Sequence, residues 1–206
     1  MEIGDLTTKK VLLHLLKDFT KVHTITTLAT ELNLSRVGMW KVLKKLGSEK
    51  YIVLKSVGGG KTSTYTLFLN WDNPLVEKIL SFYLTEEALT QRRWRFTFSD
   101  IENITDFVIL YGSIIYSPKQ ANDIDILGIC SQKFFIKIQH AMEKIQNTQV
   151  QQIHSINFTE REFRAELKWQ NKAFISAVKK GVVLFGAEHF VTFMRGMAHD
   201  YNTKNS

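Results

Sequence analysis

The first 50 residues carry apolar side chains at the spacing of three amphipathic helices. In TTKKVLLHLLKDF the apolar positions recur every three or four residues, which predicts a helix capped by Thr7. Thr24 is the predicted cap of a second helix, ITTLATEL, which ends at Asn33. After a short connection, Ser35 is the predicted cap of a longer third helix, SRVGMWKVLKKLGSE. The small side chain of Ala29 would let the second and third helices approach closely.

After Gly47 the pattern changes from helical to extended. YIVLKSV and TSTYTLFL flank the sequence GGGK, which ends at Lys61, and they predict a β-hairpin with a glycine turn. A short helix, a tight turn, a longer helix and then a hairpin are the element order of a helix-turn-helix with a wing. By this pattern residues 1–70 resemble the winged helix-turn-helix family over their whole length. The resemblance implies a domain that binds double-stranded DNA.

Residues 71–100 are predicted to form a connecting helical segment. Pro74 suits the first turn of a helix, and NPLVEKILSFYL has apolar positions at helical spacing. Thr85 and the two glutamates that follow it could open another helix, whereas RWRFTFS alternates like a strand, so its state is left open. The arginines and aromatic residues of this stretch fit either nucleic-acid stacking or a structural face, and the structural role is favoured.

From residue 101 onwards, predicted strands alternate with predicted helices. TDFVILYGS and NDIDILGIC have the pattern of buried strands, KFFIKIQHAMEKIQ that of a helix, and VQQIHSINF that of an extended segment. One long helix is predicted from Thr159 to Lys180, followed by GVVLFGAEHF. This alternation predicts a small mixed-sheet domain at 101–195 and an α/β or α+β fold class for the chain, with a polar tail at 196–206.

Composition favours a folded protein that does not enter a membrane. Hydrophobic residues make up 44% of the 206 positions and charged residues 23%, which is ordinary globular usage and leaves room for two small domains. No run approaches the ~18 apolar residues of a membrane span, and the first residues lack the apolar core of a signal peptide, so a cytoplasmic location is expected. The single cysteine, Cys130, cannot form an internal disulfide and is expected in a buried strand.

The net charge of +7 is concentrated in the first third of the chain. Residues 1–70 hold 11 basic and 5 acidic side chains, a net charge of +6, while the remaining residues hold 16 and 15, a net charge of +1. Because neutralising phosphates releases counterions, this asymmetry indicates a polyanionic partner for the N-terminal segment.

The third helix supplies the candidate DNA contacts. The first turns of such a helix enter the major groove, and neighbouring side chains reach the phosphates. The candidates for base edges and nearby phosphates are Ser35, Arg36, Trp40 and Lys41. The candidates for phosphates alone are Lys44, Lys45 and, at the tip of the hairpin, Lys61. Val37, Leu43 and Leu46 are expected to face the core, and Trp40 is open to a packing role as well as to readout.

The most specific constellation for chemistry is LYGSIIYSPKQANDIDILGI. Residues i and i+2 of a strand point to the same face, so Asp123 and Asp125 would converge at about 7 Å, which suits a hard divalent cation such as Mg²⁺ together with substrate phosphates. Gly112 would let the backbone approach a nucleoside triphosphate, and Ser113 with nearby amides would hold phosphate oxygens.

These residues resemble the signature of polymerase-beta-type nucleotidyltransferases, a Gly-Ser at the end of one strand and an Asp-x-Asp on the next. The resemblance covers about residues 105–190, as in minimal single-domain members, and implies that Asp123 and Asp125 hold Mg²⁺ for catalysis while Gly112 and Ser113 bind nucleotide. Active members usually add a third carboxylate on a later strand, and VQQIHSINF contains none. Glu160 and Glu162 follow that segment, at what is more simply a helix start.

Two functions from different classes follow. The first is a DNA-binding transcriptional regulator, expected as a homodimer on paired half-sites, whose nucleotidyltransferase-like second domain would sense a nucleotide or mediate assembly. The alternative is an active Mg²⁺-dependent nucleotidyltransferase that attaches a nucleoside monophosphate to a protein or nucleic acid. A third possibility is that the helix-turn-helix is a protein-protein interaction module.

Overall fold

The computed structural model describes residues 6–57 and 64–204, and contacts divide the chain into two compact units. The first unit comprises the residues up to 83 together with those from 194 onwards, and the second comprises 84–193. Each unit contains one small sheet with helices, which confirms the mixed α/β class expected from the sequence.

Three helices open the first unit, two of them with the predicted caps. Thr24 Oγ1 accepts a hydrogen bond from Thr27 N at 3.2 Å, and Ser35 Oγ accepts one from Gly38 N at 3.0 Å. Asn33 has a left-handed φ of +53°, which ends the second helix where expected. The helices are α1 Leu6–Lys17, α2 Ile25–Glu31 and α3 Arg36–Ser48.

The predicted hairpin is present and carries an additional short strand. Strands β2 and β3 pair antiparallel from Ile52 opposite Leu69 to Val57 opposite Thr64. The additional strand, β1, consists of only two residues, which is too short to produce a sequence pattern, and it pairs with β3. The strands are β1 His23–Thr24, β2 Ile52–Val57 and β3 Thr64–Leu69.

The buried side of α3 differs from the expected one at a single position. Met39, Leu43 and Leu46 are buried, at the spacing of four and then three residues that keeps side chains on one helix face. Val37 was expected in this set, but it is 69% exposed. The prediction for Val37 was wrong because its position lies off the stripe that starts at Met39.

The segment 71–100 is helical and contributes to both units. Helix α4, Pro74–Leu89, continues through Thr85, so no new helix opens there, and RWRFTFS belongs largely to helix α5, Arg92–Thr97. Trp94 is buried, and the Arg95 guanidinium donates to the Leu184 carbonyl oxygen and lies 4.8 Å from the Phe185 ring centre. These contacts support the structural role for this basic and aromatic stretch.

The sheet of the second unit has the strand order β6-β5-β4-β7. Strand β5 pairs antiparallel with β4 and parallel with β6, and α6 makes the long connection that a parallel pair requires. The strands are β4 Phe107–Tyr111, β5 Asp123–Ile129, β6 Gln152–Phe158 and β7 Val182–Phe185. The helices are α6 Phe135–Gln146, α7 Glu160–Lys168, α8 Lys172–Lys180 and α9 Ala187–Lys204.

The region predicted as one helix from Thr159 to Lys180 forms two helices. Gln170 between them has a φ of +60°, and Asn171 Oδ1 caps α8 by accepting from Ala173 N at 3.2 Å. Helical periodicity on both sides concealed this break, because a tight left-handed turn leaves the spacing of apolar residues nearly unchanged.

The end of the chain departs from the expected polar tail. Helix α9 continues to Lys204, and its residues from 194 onwards belong to the first unit, where Arg195 pairs with Glu77 at 2.6 Å. Within the part of the chain that the structure describes, no helix has the length and apolarity needed to cross a membrane.

The buried state of Cys130 generates a test of the second unit's core. The residue is 1% exposed, and burial raises the pKa of its thiol to about 11, so the reactive thiolate is scarce at pH 8. We expect the native protein to react with Ellman's reagent at least about 100-fold more slowly than the protein in denaturant. Equal rates measured by absorbance in the two conditions would contradict the buried placement.

Candidate functional site

The first candidate surface is the solvent-facing side of α3. With Met39, Leu43 and Leu46 turned inward, the opposite side presents the side chains that the sequence identified. The residues exposed there are Ser35, Arg36, Trp40, Lys41, Lys44 and Lys45. Ser35 Oγ accepts the capping hydrogen bond from Gly38 N, which leaves its hydroxyl proton able to donate elsewhere. Lys61 lies outside the described residues.

An aromatic pair lies beside this basic face. Trp40 is 39% exposed, and its ring centre lies 5.8 Å from that of Tyr65 on β3. The groove next to the pair is lined by the start of α2, the first turns of α3 and the start of β3, with Arg36 and Val37 at its wall. An exposed apolar surface with cationic neighbours can contact bases, methyl groups or a protein surface.

The second candidate site lies where β5 begins. Asp125 on β5 is opposite Tyr111 on β4 and opposite His154 on β6, so register places the three side chains in a row across the sheet. His154 Nδ1 is 3.5 Å from Asp125 Oδ1 and 3.7 Å from Asp123 Oδ2. The two aspartates and the histidine can bring one ligand atom each within 4.8 Å of one another.

The backbone of Gly112 packs directly against the Asp125 carboxylate. Its φ is +83°, and a Cβ at this position would lie 2.2 Å from Asp125 Oδ2. Residues Ser113–Ile115 then form a short 3-10 helix. Only glycine combines this backbone conformation with such a short approach to the carboxylate.

Two residues of the loop that follows Ser113 have structural roles. Ile114 is buried in the core of the second unit, and Tyr116 Oη donates to the Lys180 carbonyl oxygen at 2.8 Å. These contacts hold the loop after Ser113 against α8, so the side chains at these positions are engaged in packing.

The surroundings of Asp125 at the start of β5 disfavour its ionised form. Burial, and then the negative charge of Asp123, raise the pKa of Asp125, while His154 partly opposes that shift. Burial also raises the pKa of Tyr111, with a further contribution from the two carboxylates. Negative charge is therefore in excess at this point, and a cation would relieve it.

Four other acids of the second unit lie away from the aspartate pair. Asp106 precedes β4, whereas Asp125 is opposite the last residue of that strand. Glu188 follows β7, whose last residue, Phe185, is opposite Val108 near the start of β4. Glu162 accepts from Thr159 N at 2.8 Å in a capping box, and Glu160 lies in the first turn of α7, as the helix-start interpretation predicted.

The donor set fits one divalent ion better than a pair of magnesium ions. Within the described ranges, no further carboxylate joins Asp123 and Asp125 in this cluster, and the third member is His154 on the neighbouring strand β6. Imidazole nitrogen suits Zn²⁺ and other later transition-metal ions, whereas Mg²⁺ prefers oxygen ligands. The sequence contained His154 but gave no register, so its position beside Asp125 could not be predicted.

Comparisons with protein-family models, with curated proteins and with solved structures found no match for this chain. Function is therefore inferred from the two candidate sites.

The close fit of Gly112 predicts a strong coupling to Asp125. Gly112→Ala is expected to lower the free energy of unfolding by about 1–3 kcal/mol, because alanine tolerates neither the positive φ nor the short approach. In an Asp125→Ala background the same change should cost less, since the clashing oxygen is gone. Urea denaturation of the four proteins measures this, and equal costs in both backgrounds would contradict the contact.

Proposed function

We propose that the protein is a DNA-binding regulator whose first unit is a winged helix-turn-helix. The observation that carries this proposal is the exposed basic face of α3, adjacent to a β-hairpin. Helix α3 spans 13 residues, or about 20 Å, and the diameter of an α-helix, about 10–12 Å with its side chains, fits the major groove, which is about 12 Å wide. A homodimer would place two such helices on paired half-sites.

The distribution of side chains along α3 supports two kinds of contact. Arg36, Trp40 and Lys41 lie in the first turns, which enter the groove in this class of motif, and Arg36 can bind guanine through two hydrogen bonds. Lys44 and Lys45 lie further along the helix and suit phosphate contacts. The charge of +6 on residues 1–70 supplies attraction that does not depend on base sequence.

Salt dependence tests the phosphate contacts. Wild-type protein is titrated into a fluorescent mixed-sequence duplex at several salt concentrations, and the slope of log affinity against log salt is compared among variants. The Lys44→Gln, Lys45→Gln double variant should lower the magnitude of that slope by about 1 for each lysine.

Two exposed lysines on α6 provide the matched control. The Lys137→Gln, Lys144→Gln variant removes the same charge from the second unit and should leave the slope close to that of wild type. If both double variants change the slope equally, α3 does not contact DNA. The exposed face of α3 would then be assigned to protein-protein interaction.

We also propose that the second unit is a nucleotidyltransferase-like module. It binds a nucleoside triphosphate with a divalent ion and does not transfer the nucleoside monophosphate to an acceptor. This proposal rests on the aspartate pair at the start of β5 and on the close approach of Gly112. Asp123, Asp125 and His154 would hold the ion, which when bound would neutralise phosphate charge. Gly112 lets the backbone pass close to the Asp125 carboxylate, and Ser113, the next residue, offers a hydroxyl donor for a phosphate oxygen.

Calorimetric titration with each nucleoside triphosphate, in Mg²⁺ and separately in Mn²⁺, tests this module. Binding by wild-type protein should be lost in the Asp123→Asn, Asp125→Asn variant, because neither amide supplies the charge that holds the cation. Asp100→Asn, at an exposed position in the same unit, should bind normally. Equal binding by all three proteins would place the nucleotide elsewhere, and pyrophosphate release with an acceptor would favour the active enzyme.

A further inference from the structure

A second group of metal-ligating side chains lies in the first unit, remote in sequence from the aspartate pair. His14 and Asp18 are one helical turn apart at the end of α1, His23 is on β1, and Glu31 is the last residue of α2. These four residues can bring one ligand atom each within 4.8 Å of one another. Three separate elements therefore converge on one point.

The distances within the group are close to those of a coordination shell. His14 Nε2 is 2.8 Å from Glu31 Oε2 and 4.0 Å from Asp18 Oδ2, and His23 Nδ1 is 3.7 Å from Glu31 Oε2. Ligands about 2.1 Å from a tetrahedral zinc ion lie about 3.4 Å from one another. The measured separations bracket that value, so small side-chain movements would complete the shell.

The buried ring of His23 is oriented as a metal ligand would be. The residue is 2% exposed, and its Nε2 lies 2.9 Å from the Asp18 carbonyl oxygen, which can only accept, so Nε2 carries the proton. Nδ1 then presents its lone pair to the cluster, and it has no hydrogen-bond partner although it is buried. Ligating histidines characteristically donate their other ring nitrogen to a carbonyl or carboxylate in this way.

Lys21 shows that the two carboxylates already attract a cation. Its ammonium group is hydrogen-bonded to Glu31 and lies 3.4 Å from Asp18 Oδ2. The Lys21 side chain is 42% exposed, so it can swing into solvent when another cation arrives. The ammonium is therefore a competitor for the position between the carboxylates.

We propose that His14, Asp18, His23 and Glu31 form a binding site for a single divalent transition-metal ion of the zinc class. Two imidazole nitrogens and two carboxylates suit Zn²⁺ or Co²⁺, whereas Mg²⁺ and Ca²⁺ favour oxygen ligands. The bound ion links the end of α1 to β1 and to the end of α2. It thereby stabilises the helices that precede α3.

Cobalt titration of the full-length protein, freed of metal with a chelator, tests the site. Tetrahedral Co²⁺ should give a visible absorption band that Zn²⁺ removes, and in the Asp123→Asn, Asp125→Asn background, which lacks the other cluster, the band should saturate at one equivalent. The His14→Gln, Glu31→Gln variant should lose the band and bind at least about 100-fold more weakly. Both side chains are partly exposed, so the variant is expected to fold, which circular dichroism verifies.

Two further variants separate this site from its alternatives. The Asp123→Asn, Asp125→Asn variant lacks the cluster of the second unit and should retain the cobalt band. Zn²⁺ should raise the melting temperature of this variant as it raises that of the wild-type protein. Lys21→Met removes the competing ammonium and should raise the affinity for Zn²⁺. Cobalt binding unaffected by His14→Gln, Glu31→Gln, or zinc affinity unchanged by Lys21→Met, would overturn the proposal.

Discussion

The pairing register of β5 determines which polar groups meet in the second unit. Ile124 and Ile126 are fully buried on one face of this strand, while Asp123 and Asp125 lie on the other face. A slip of one residue would exchange the two faces and place carboxylates in the apolar core, so burial fixes the register. The same register brings Tyr111 and His154 beside Asp125. The candidate site is thus a consequence of core packing on the opposite side of the sheet.

Local sequence was sufficient for features that depend on neighbouring residues. The caps at Thr24, Ser35 and Thr159 were predictable because each hydroxyl accepts from an amide three residues later. The secondary structure of RWRFTFS could not be assigned from its sequence, because its residues alternate as in a strand, whereas Trp94 makes its contacts from a helix. The exposure of Val37 was missed for a related reason, since an apolar residue near a helix start does not reveal the direction of the buried stripe.

Features that depend on residues far apart in the sequence could not be predicted from the sequence. The aspartate pair was visible as a spacing on one strand, but its neighbour His154 follows only from the parallel pairing of β5 with β6. The cluster around Glu31 was equally hidden, since His14 is 17 positions away and β1 is only two residues long. Non-local juxtaposition of this kind requires the tertiary fold, because neither residue spacing nor periodicity encodes it.

The two clusters differ in how their negative charge is balanced. Partial burial raises the pKa of Glu31, but hydrogen bonds from Lys21 and His14 outweigh this effect and leave the pKa below its ordinary value. The ionised carboxylate therefore stabilises the fold, and this stabilisation is lost as the pH falls through the lowered pKa. Asp125 has the opposite shift, so its ionisation opposes folding as pH rises through its ordinary range. A cation bound at Asp125 would therefore remove a penalty that the protein's own side chains leave in place. At Glu31, by contrast, an incoming metal ion must displace an ammonium group that already stabilises the carboxylate.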